Sequence, residues 1–324
     1  MREVFVRPVV LCALLLLIVA ACAAPNDLRV DGSSTVYPIS LAMAEEFSIL
    51  NPDVNVSVAF SGTGGGLGKL CSGEVDVAGA SRVIRPEELA ACADSGISVV
   101  ELPVAADAIT VVVNPANDWA ECMSLEELRA IWEPGSTVTT WSDVRTGWPD
   151  EGIVLYGPGT DSGTFDYFTE AVNHEPGATR TDFFPSEDDN VLVQGVRSDR
   201  YALGYFGFAH YVENRSQVRA VAVDAGSGCT LPTEASIEDN TYSPLSRPLF
   251  VYVAVPSLEK SAVLRFATFY LDDSSRGLVV GSGYVPYPEA VYEAAATRVE
   301  RPVPGSAFLD FEPGDSVLEA VGRR

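Results

Sequence analysis

The chain has 324 residues, of which 45 are acidic and 21 basic, for a formal net charge of -24. This balance excludes nucleic acid as a partner, because its phosphates would be repelled. Apolar residues make up 47% and charged residues 20%, enough to build two cores and too apolar for wholesale disorder.

Arg2 and Arg7 precede the apolar run "VVLCALLLLIVAAC", which ends at Cys22. The run falls short of the roughly 20 apolar residues a membrane span needs. It reads as a secretory signal over residues 1–21. Val19-Ala20-Ala21-Cys22 resembles a bacterial lipobox, so Cys22 is expected to take lipid and to lead a short tether, residues 22–27. The protein is then anchored on the outer face of the cell membrane or lies in the periplasm. Export turns Cys71, Cys92, Cys122 and Cys229 into candidates for two disulfides. Three pairings are open. The one expected is Cys71–Cys92, closing a loop around residues 79–82, with Cys122–Cys229 tying the start and end of a second lobe. With no CxxC spacing and only His174 and His210 in the chain, neither zinc nor any other cofactor is expected.

The elements follow one plan: a short apolar strand, a turn of Gly, Ser and Thr, then a helix. "DLRV" leads through "DGSST" into "VYPISLAMAEEFSIL", where Val36, Ile39, Met43 and Phe47 recur at helical spacing and Pro38 suits a first turn. Val54, Val56, Val58 and Phe60 alternate as a strand, which the glycines of "SGTGGG" break. Val75 and Val77 start a short strand before "GASR", and Pro86 opens a helix. "AITVVVNP" and "RPLFVYVAVP" read as connectors between lobes. Residues 153–156 form a buried strand, and Phe165, Phe168 and Val172 share one face of the helix after "TDSGT". The pattern predicts an α/β fold with a mostly parallel sheet. Two crossings of the chain place one lobe at 26–108 plus 250–324 and the other at 109–249.

In such folds ligands bind beyond the carboxyl ends of the strands, where helix N–H groups are unpaired and carry the positive end of the dipole. "GSST", "SGTGGG" and "TDSGT" could therefore converge on one oxyanion. Arg82 in "GASR" would add a charged planar fork. Lys69 in "GLGKL" suggests a phosphate loop, but Thr63 and Leu70 break that motif. Ser162 lacks the G-x-S-x-G setting of a hydrolase nucleophile, because Asp161 and Thr160 precede it. His174 reads as a surface residue and His210 as part of a packed hinge, so enzyme activity is not expected.

These motifs, in this order, resemble the phosphate-binding proteins of bacterial ABC importers over essentially the whole mature chain. "DGSSTVYPI" is similar to that family's first anion loop, "SGTGGGLGKLCSGEVDVAGASR" to its second and third, and "GPGTDSGTFDYF" to its fourth. The resemblance implies a two-lobed periplasmic-binding-protein fold of type II that closes on a ligand. It carries ligand contacts to Ser34 and Thr35, to Ser61 or Thr63, and to Ser162, Gly163 and Thr164. Two positions depart from the family pattern: Pro158 stands where many relatives have Arg, and Arg82 where many have Asp. Asp161 is the nearest substitute for the missing carboxylate. The implied function is capture of inorganic phosphate by a monomer and its delivery to the permease of an ABC importer. The alternatives are a binder of sulfate, molybdate or tungstate, an exported phosphate-ester hydrolase, and a sensor that kept the fold.

Overall fold

The computed structural model describes residues 26–160, 162–312 and 315–323. The expected signal, the lipobox cysteine and Asp161 lie outside them. The chain opens with β1 (Asn26–Gly32), α1 (Tyr37–Leu50), β2 (Val54–Val58), α2 (Gly62–Cys71), β3 (Val77–Ala80) and α3 (Pro86–Asp94). β1 pairs in parallel with both β2 and β3. The spacing read from the sequence is the packing observed: Val36 at the N-cap of α1 and its Ile39, Met43 and Phe47 are buried. The glycines of α2 serve packing as well as the turn. A methyl group on Gly66 would collide with the backbone of Gly32, so the helix lies directly on the end of β1.

β4 (Val99–Val113) is buried along all 15 residues. Beyond it come β5 (Cys122–Ser124), α4 (Leu125–Trp132), β6 (Val154–Pro158), α5 (Gly163–Asn173), β7 (Phe184–Ser186), α6 (Asp189–Ser198), β8 (Ala202–Gly207), β9 (Arg219–Ala220), β10 (Ala222–Asp224), β11 (Cys229–Thr230) and β12 (Ser246–Ala254). The large sheet has the order β2-β1-β3-β12-β4-β8-β6-β7, with β9 also on β4, and β11-β10-β5 form a small sheet.

The sheet is less parallel than expected. β6 runs parallel to β7 and β8, but β12 is antiparallel to β3 and β4, and β4 is antiparallel to β8. The reason is topological. β4 carries the chain out of the first half and β12 carries it back, so the two connectors run in opposite senses side by side. β12 pairs along its whole length with residues 99–108 of β4, from Ser246 opposite Ala108 to Ala254 opposite Val99. The register shifts between Leu249 and Phe250, where Phe250 faces Pro103. A proline has no N–H to give the ladder, and a bulge is where a sheet interior tolerates one.

The apolar side chains fall into two main clusters. One includes Leu28, Phe47, Val77, Ala108, Leu249, Phe250 and Phe266. The other includes Ile109, Trp132, Trp141, Leu155, Phe168 and Leu245. Disulfides join Cys71 to Cys92, clamping α2 to α3, and Cys122 to Cys229, across the small sheet. This is the expected pairing.

Candidate functional site

The three hydroxyl-bearing turns open helices whose first N–H groups differ in how they are satisfied. α1 and α2 have no side-chain cap on the N-cap residues Val36 and Ser61; at α1 the Tyr37 N–H is given to the Ser33 carbonyl and Pro38 has none to give, so its first turn offers few open donors. α5 is capped: the Oγ of Ser162 accepts the Thr164 N–H at 3.2 Å. No hydrogen bond links Ser162 to either histidine among the described residues.

In the first turn Ser34 is exposed and Thr35 is buried. In the second, Ser61 donates its hydroxyl to Asp31 at 2.7 Å, and the same carboxylate binds Lys69 at 2.5 Å. Burial raises Asp31, but Lys69, Ser61 and the Gly32 N–H outweigh it and hold the carboxyl below its ordinary value. Lys69 is thus engaged with β1 and does not reach over the turn. Thr63 accepts the N–H of Ser81 at 3.2 Å, and its Oγ1 lies 3.3 Å from the Ser81 Oγ. The second turn is thereby tied to the third.

Arg82, on that third turn, is closed on a neighbour. Its guanidinium donates to both oxygens of Glu88, at 2.9 and 2.8 Å, and to the carbonyl of Val83. The Glu88 hydrogen bonds are the largest influence on Arg82 and raise its pKa, while Arg82 in turn depresses Glu88.

The cation that reaches across the two halves is Arg247, at the start of β12. Its Nε and Nη2 donate to one oxygen of Asp107, at 3.3 and 3.2 Å. Nη2 also donates to Thr35 Oγ1 at 3.4 Å, and the guanidinium lies over the ring of Tyr167 on α5. Tyr167 is fixed in turn by its hydroxyl, which donates to the Pro244 carbonyl at 2.7 Å. A Cβ added to Gly163 would lie 3.7 Å from Thr35 Oγ1, so the first and fourth turns meet at this point. Burial pushes Asp107 above the ordinary carboxylate range, and Arg247 offsets that only in part. A cleft of about 360 Å³ opens beside the pair, lined by Asp107, Thr164, Asp189, His210, Glu213 and Tyr284 among others.

Arg247, Asp107 and Tyr167 were not among the residues singled out from sequence. The signal was present as two charges inside apolar connectors: one Asp in "LPVAADAITVVV" and one Arg opening "RPLFVYVAVP". A charge in a buried strand requires a partner, and each is the partner of the other. The donor set contains hydroxyls, the uncapped N-terminus of α2 and a guanidinium whose carboxylate partners are Asp107 and, at 3.9 Å, Glu170. That chemistry suits a tetrahedral anion held without metal ligands.

Known proteins match this chain along most of its length. The PBP superfamily domain is matched over residues 19–274. Protein SphX of Synechocystis sp. is 46% identical over 319 residues, 97% of this chain and 94% of its own. Phosphate-binding protein PstS of Staphylococcus saprophyticus is 36% identical over 277 residues, 85% of each chain. The crystal structure of a possible phosphate binding protein from Planctomyces limnophilus superposes with a TM-score of 0.80 at 48% identity, covering 85% of this chain and 98% of that one. With its two α/β halves, paired connectors and anion-type turns, the chain belongs to the PBP superfamily and, within it, to the family of the SphX and PstS proteins.

Proposed function

We propose that this chain is an exported receptor that captures inorganic phosphate and delivers it to an ABC-type importer. The observation that carries the proposal is the meeting of Thr35, Gly163 and Arg247 at one point, from turns and strands far apart in sequence. The family of relatives, some of them phosphate-binding by name, supports the same ligand. The closing units are the lobes 26–108 plus 250–324 and 109–249, each of which holds most of one of the two main core clusters. In this reading Thr35, Thr63, Ser162, Gly163 and Thr164 contact the anion, and Ser34 stands at the rim. Thr63 is preferred to Ser61, whose hydroxyl is given to Asp31. Arg247 supplies the charge, and Arg82 joins only by releasing Glu88. Binding by fixed donors needs no bond-breaking step, so the protein works as a receptor and not as an enzyme.

A monomer anchored through lipid on Cys22 completes the proposal. Replacing Cys22 with Ser should release the protein into the soluble fraction with its binding unchanged; retention on salt-washed membranes would point to another anchor. For the ligand, calorimetric titration of phosphate-stripped protein should show one phosphate per chain. Saturation by molybdate or tungstate with no response to phosphate would sink the reading.

A further inference from the structure

Three arginines gather at the end of the first lobe that lies opposite the anion turns. Helix α7 (Glu289–Glu300) packs on β4 and on α8 (Val317–Val321). Arg298, on α7, is only 5% exposed. Its Nη1 donates to the Arg323 carbonyl at 3.0 Å and its Nη2 to the Val303 carbonyl at 3.4 Å. Its Nε is buried and has no partner among the described residues. Glu101 acts on Arg298 through its field, but the Glu101 oxygens are taken by the hydroxyls of Tyr252 and Ser306 and by the Ala307 N–H. Arg298, Arg301 and Arg323 line one cavity of about 410 Å³ whose wall contains no carboxylate. Asp310 lines only the smaller cavity beside it. Arg301 and Arg323 are exposed, and none of the three arginines forms an ion pair among the described residues. A buried charge in that position calls for an anion from outside. The sheet shows which way the cavity points. Gly305, just beyond Val303, bridges Val100 at the start of β4. β4 runs in the same sense as β3, because β12 is antiparallel to both, and β1 is parallel to β3. The arginines therefore lie at the end of the sheet where β1 begins, and the first and third turns lie at the other.

We infer that the pocket of Arg298, Arg301 and Arg323 takes the phosphate of an anionic lipid headgroup. The inference rests on the lipid-anchor reading above and adds an orientation to it. Four peptide steps lead from Cys22 to Asn26 at the start of β1, and at full extension they reach at most roughly 14 Å. A chain held by lipid on Cys22 thus keeps the arginine end near the bilayer. With that end seated on headgroups, the anion turns face the medium from which phosphate is captured. The formal charge of -24 does not oppose this. At physiological salt, charges beyond roughly 8 Å are largely screened, so the headgroup responds mainly to the three local arginines. Guanidinium forks match phosphate oxygens in geometry and charge. The anchor also holds headgroups at high effective concentration, so a weak site is enough to orient the protein.

The test is sedimentation of the mature chain, carrying Cys22→Ser so that no lipid holds it, with two kinds of vesicle. One is phosphatidylcholine alone and the other contains phosphatidylglycerol. The lipid-free chain should sediment only with the phosphatidylglycerol vesicles. Adding Arg301→Glu and Arg323→Glu, which alter two exposed side chains and spare buried Arg298, should weaken that binding by about tenfold or more. Phosphate affinity at the cleft should stay within about twofold in the same variant, which shows that the fold and the receptor site are intact. Calorimetric titration with inorganic phosphate separates the two sources of the anion. A second phosphate site that vanishes in the double variant, with no preference among vesicles, would make this a site for free phosphate and overturn the lipid assignment. Equal sedimentation of the parent and the double variant overturns it as well. Lipid on Cys22 is read separately, from the mass of the unmutated protein extracted from membranes. An unmodified Cys22 ends the anchor reading, whatever the vesicles show.

Discussion

The guanidinium carbon of Arg247 lies 3.6 Å from the centroid of the Tyr167 ring, so a cation that starts on β12 is seated on a side chain of α5. The same guanidinium is ion-paired with Asp107 on β4 and touches the first turn at Thr35. One side chain thus joins both connectors to a helix of one proposed lobe and to the first turn of the other, and its fork is held in a fixed orientation before any ligand arrives.

Arg247→Ala should weaken phosphate binding by about 2–4 kcal/mol, some 30- to 1,000-fold, because it removes a charge-assisted contact and leaves Asp107 buried without a partner. Arg247→Lys restores the charge but neither the fork nor the stacking, so its affinity should fall between the two. Arg82→Ala should cost less than Arg247→Ala, since its fork is already closed on Glu88. Calorimetry on the three variants checks the order; a larger loss in Arg82→Ala would move the ligand's cation to the third turn.

Thr164→Val removes a neutral hydroxyl and should cost about 1–3 kcal/mol of binding. Ser162 still caps the helix through the Thr164 N–H, so the melting temperature should barely move. A variant with full affinity would take the Thr164 hydroxyl out of the contact set.

Acid should destabilise the protein through two buried carboxylates. Asp76 binds Lys260 at 2.7 Å, Ser257 at 2.8 Å and the Arg29 N–H at 3.1 Å. Burial raises it, but these partners outweigh burial and hold it below its ordinary 3.8, and Asp31 is likewise depressed. A lowered folded value means that the stabilisation is complete above the unfolded value of 3.8 and is lost as pH falls through the folded one. Thermal melts should therefore show Asp76→Asn less stable than the unmutated protein at neutral pH, with the gap closing in strong acid. Asp107 has the opposite sign. Its raised value makes its ionised form costly, so protonating it as pH falls towards the ordinary carboxylate range gives stability back. A gap between Asp76→Asn and the unmutated protein that is constant with pH would contradict the ion-pair account.

Removing both cysteines of the Cys122–Cys229 bridge, which spans 107 residues, should destabilise the fold by about 3–5 kcal/mol in the chain-entropy model. The same change at Cys71–Cys92, which spans 21 residues, should cost less, because closing a shorter loop removes less entropy from the unfolded chain. Denaturant unfolding of the two double variants gives the order directly; the reverse order would mean that local packing around α2 and α3 outweighs loop length.

Much of the fold was legible in the sequence because its signals are local. Ile39, Met43 and Phe47 recur at helical spacing within a few residues, and each turn lies directly between its strand and its helix. The site was only half legible. Thr35 and Thr164 stand in recognisable turns, whereas Arg247 meets Asp107 across 140 positions and Thr35 across 212, distances over which spacing carries no information. Arg82 is a different case. Glu88 is only six residues away, but the choice between a ligand and a neighbouring carboxylate depends on the direction of the chain through Arg85 and Pro86, which composition does not reveal. Gly66 looked like an opening for an anion and turned out to seat α2 against Gly32. Small residues serve close approach of any kind, and the sequence does not say to what.

The most direct test of the central claim is a crystal structure of the protein grown with phosphate. The anion should lie between the lobes, within hydrogen-bonding distance of Thr35, Thr63, Thr164 and the Arg247 guanidinium. A phosphate bound elsewhere, or one in the cleft that leaves Arg247 untouched, would contradict it.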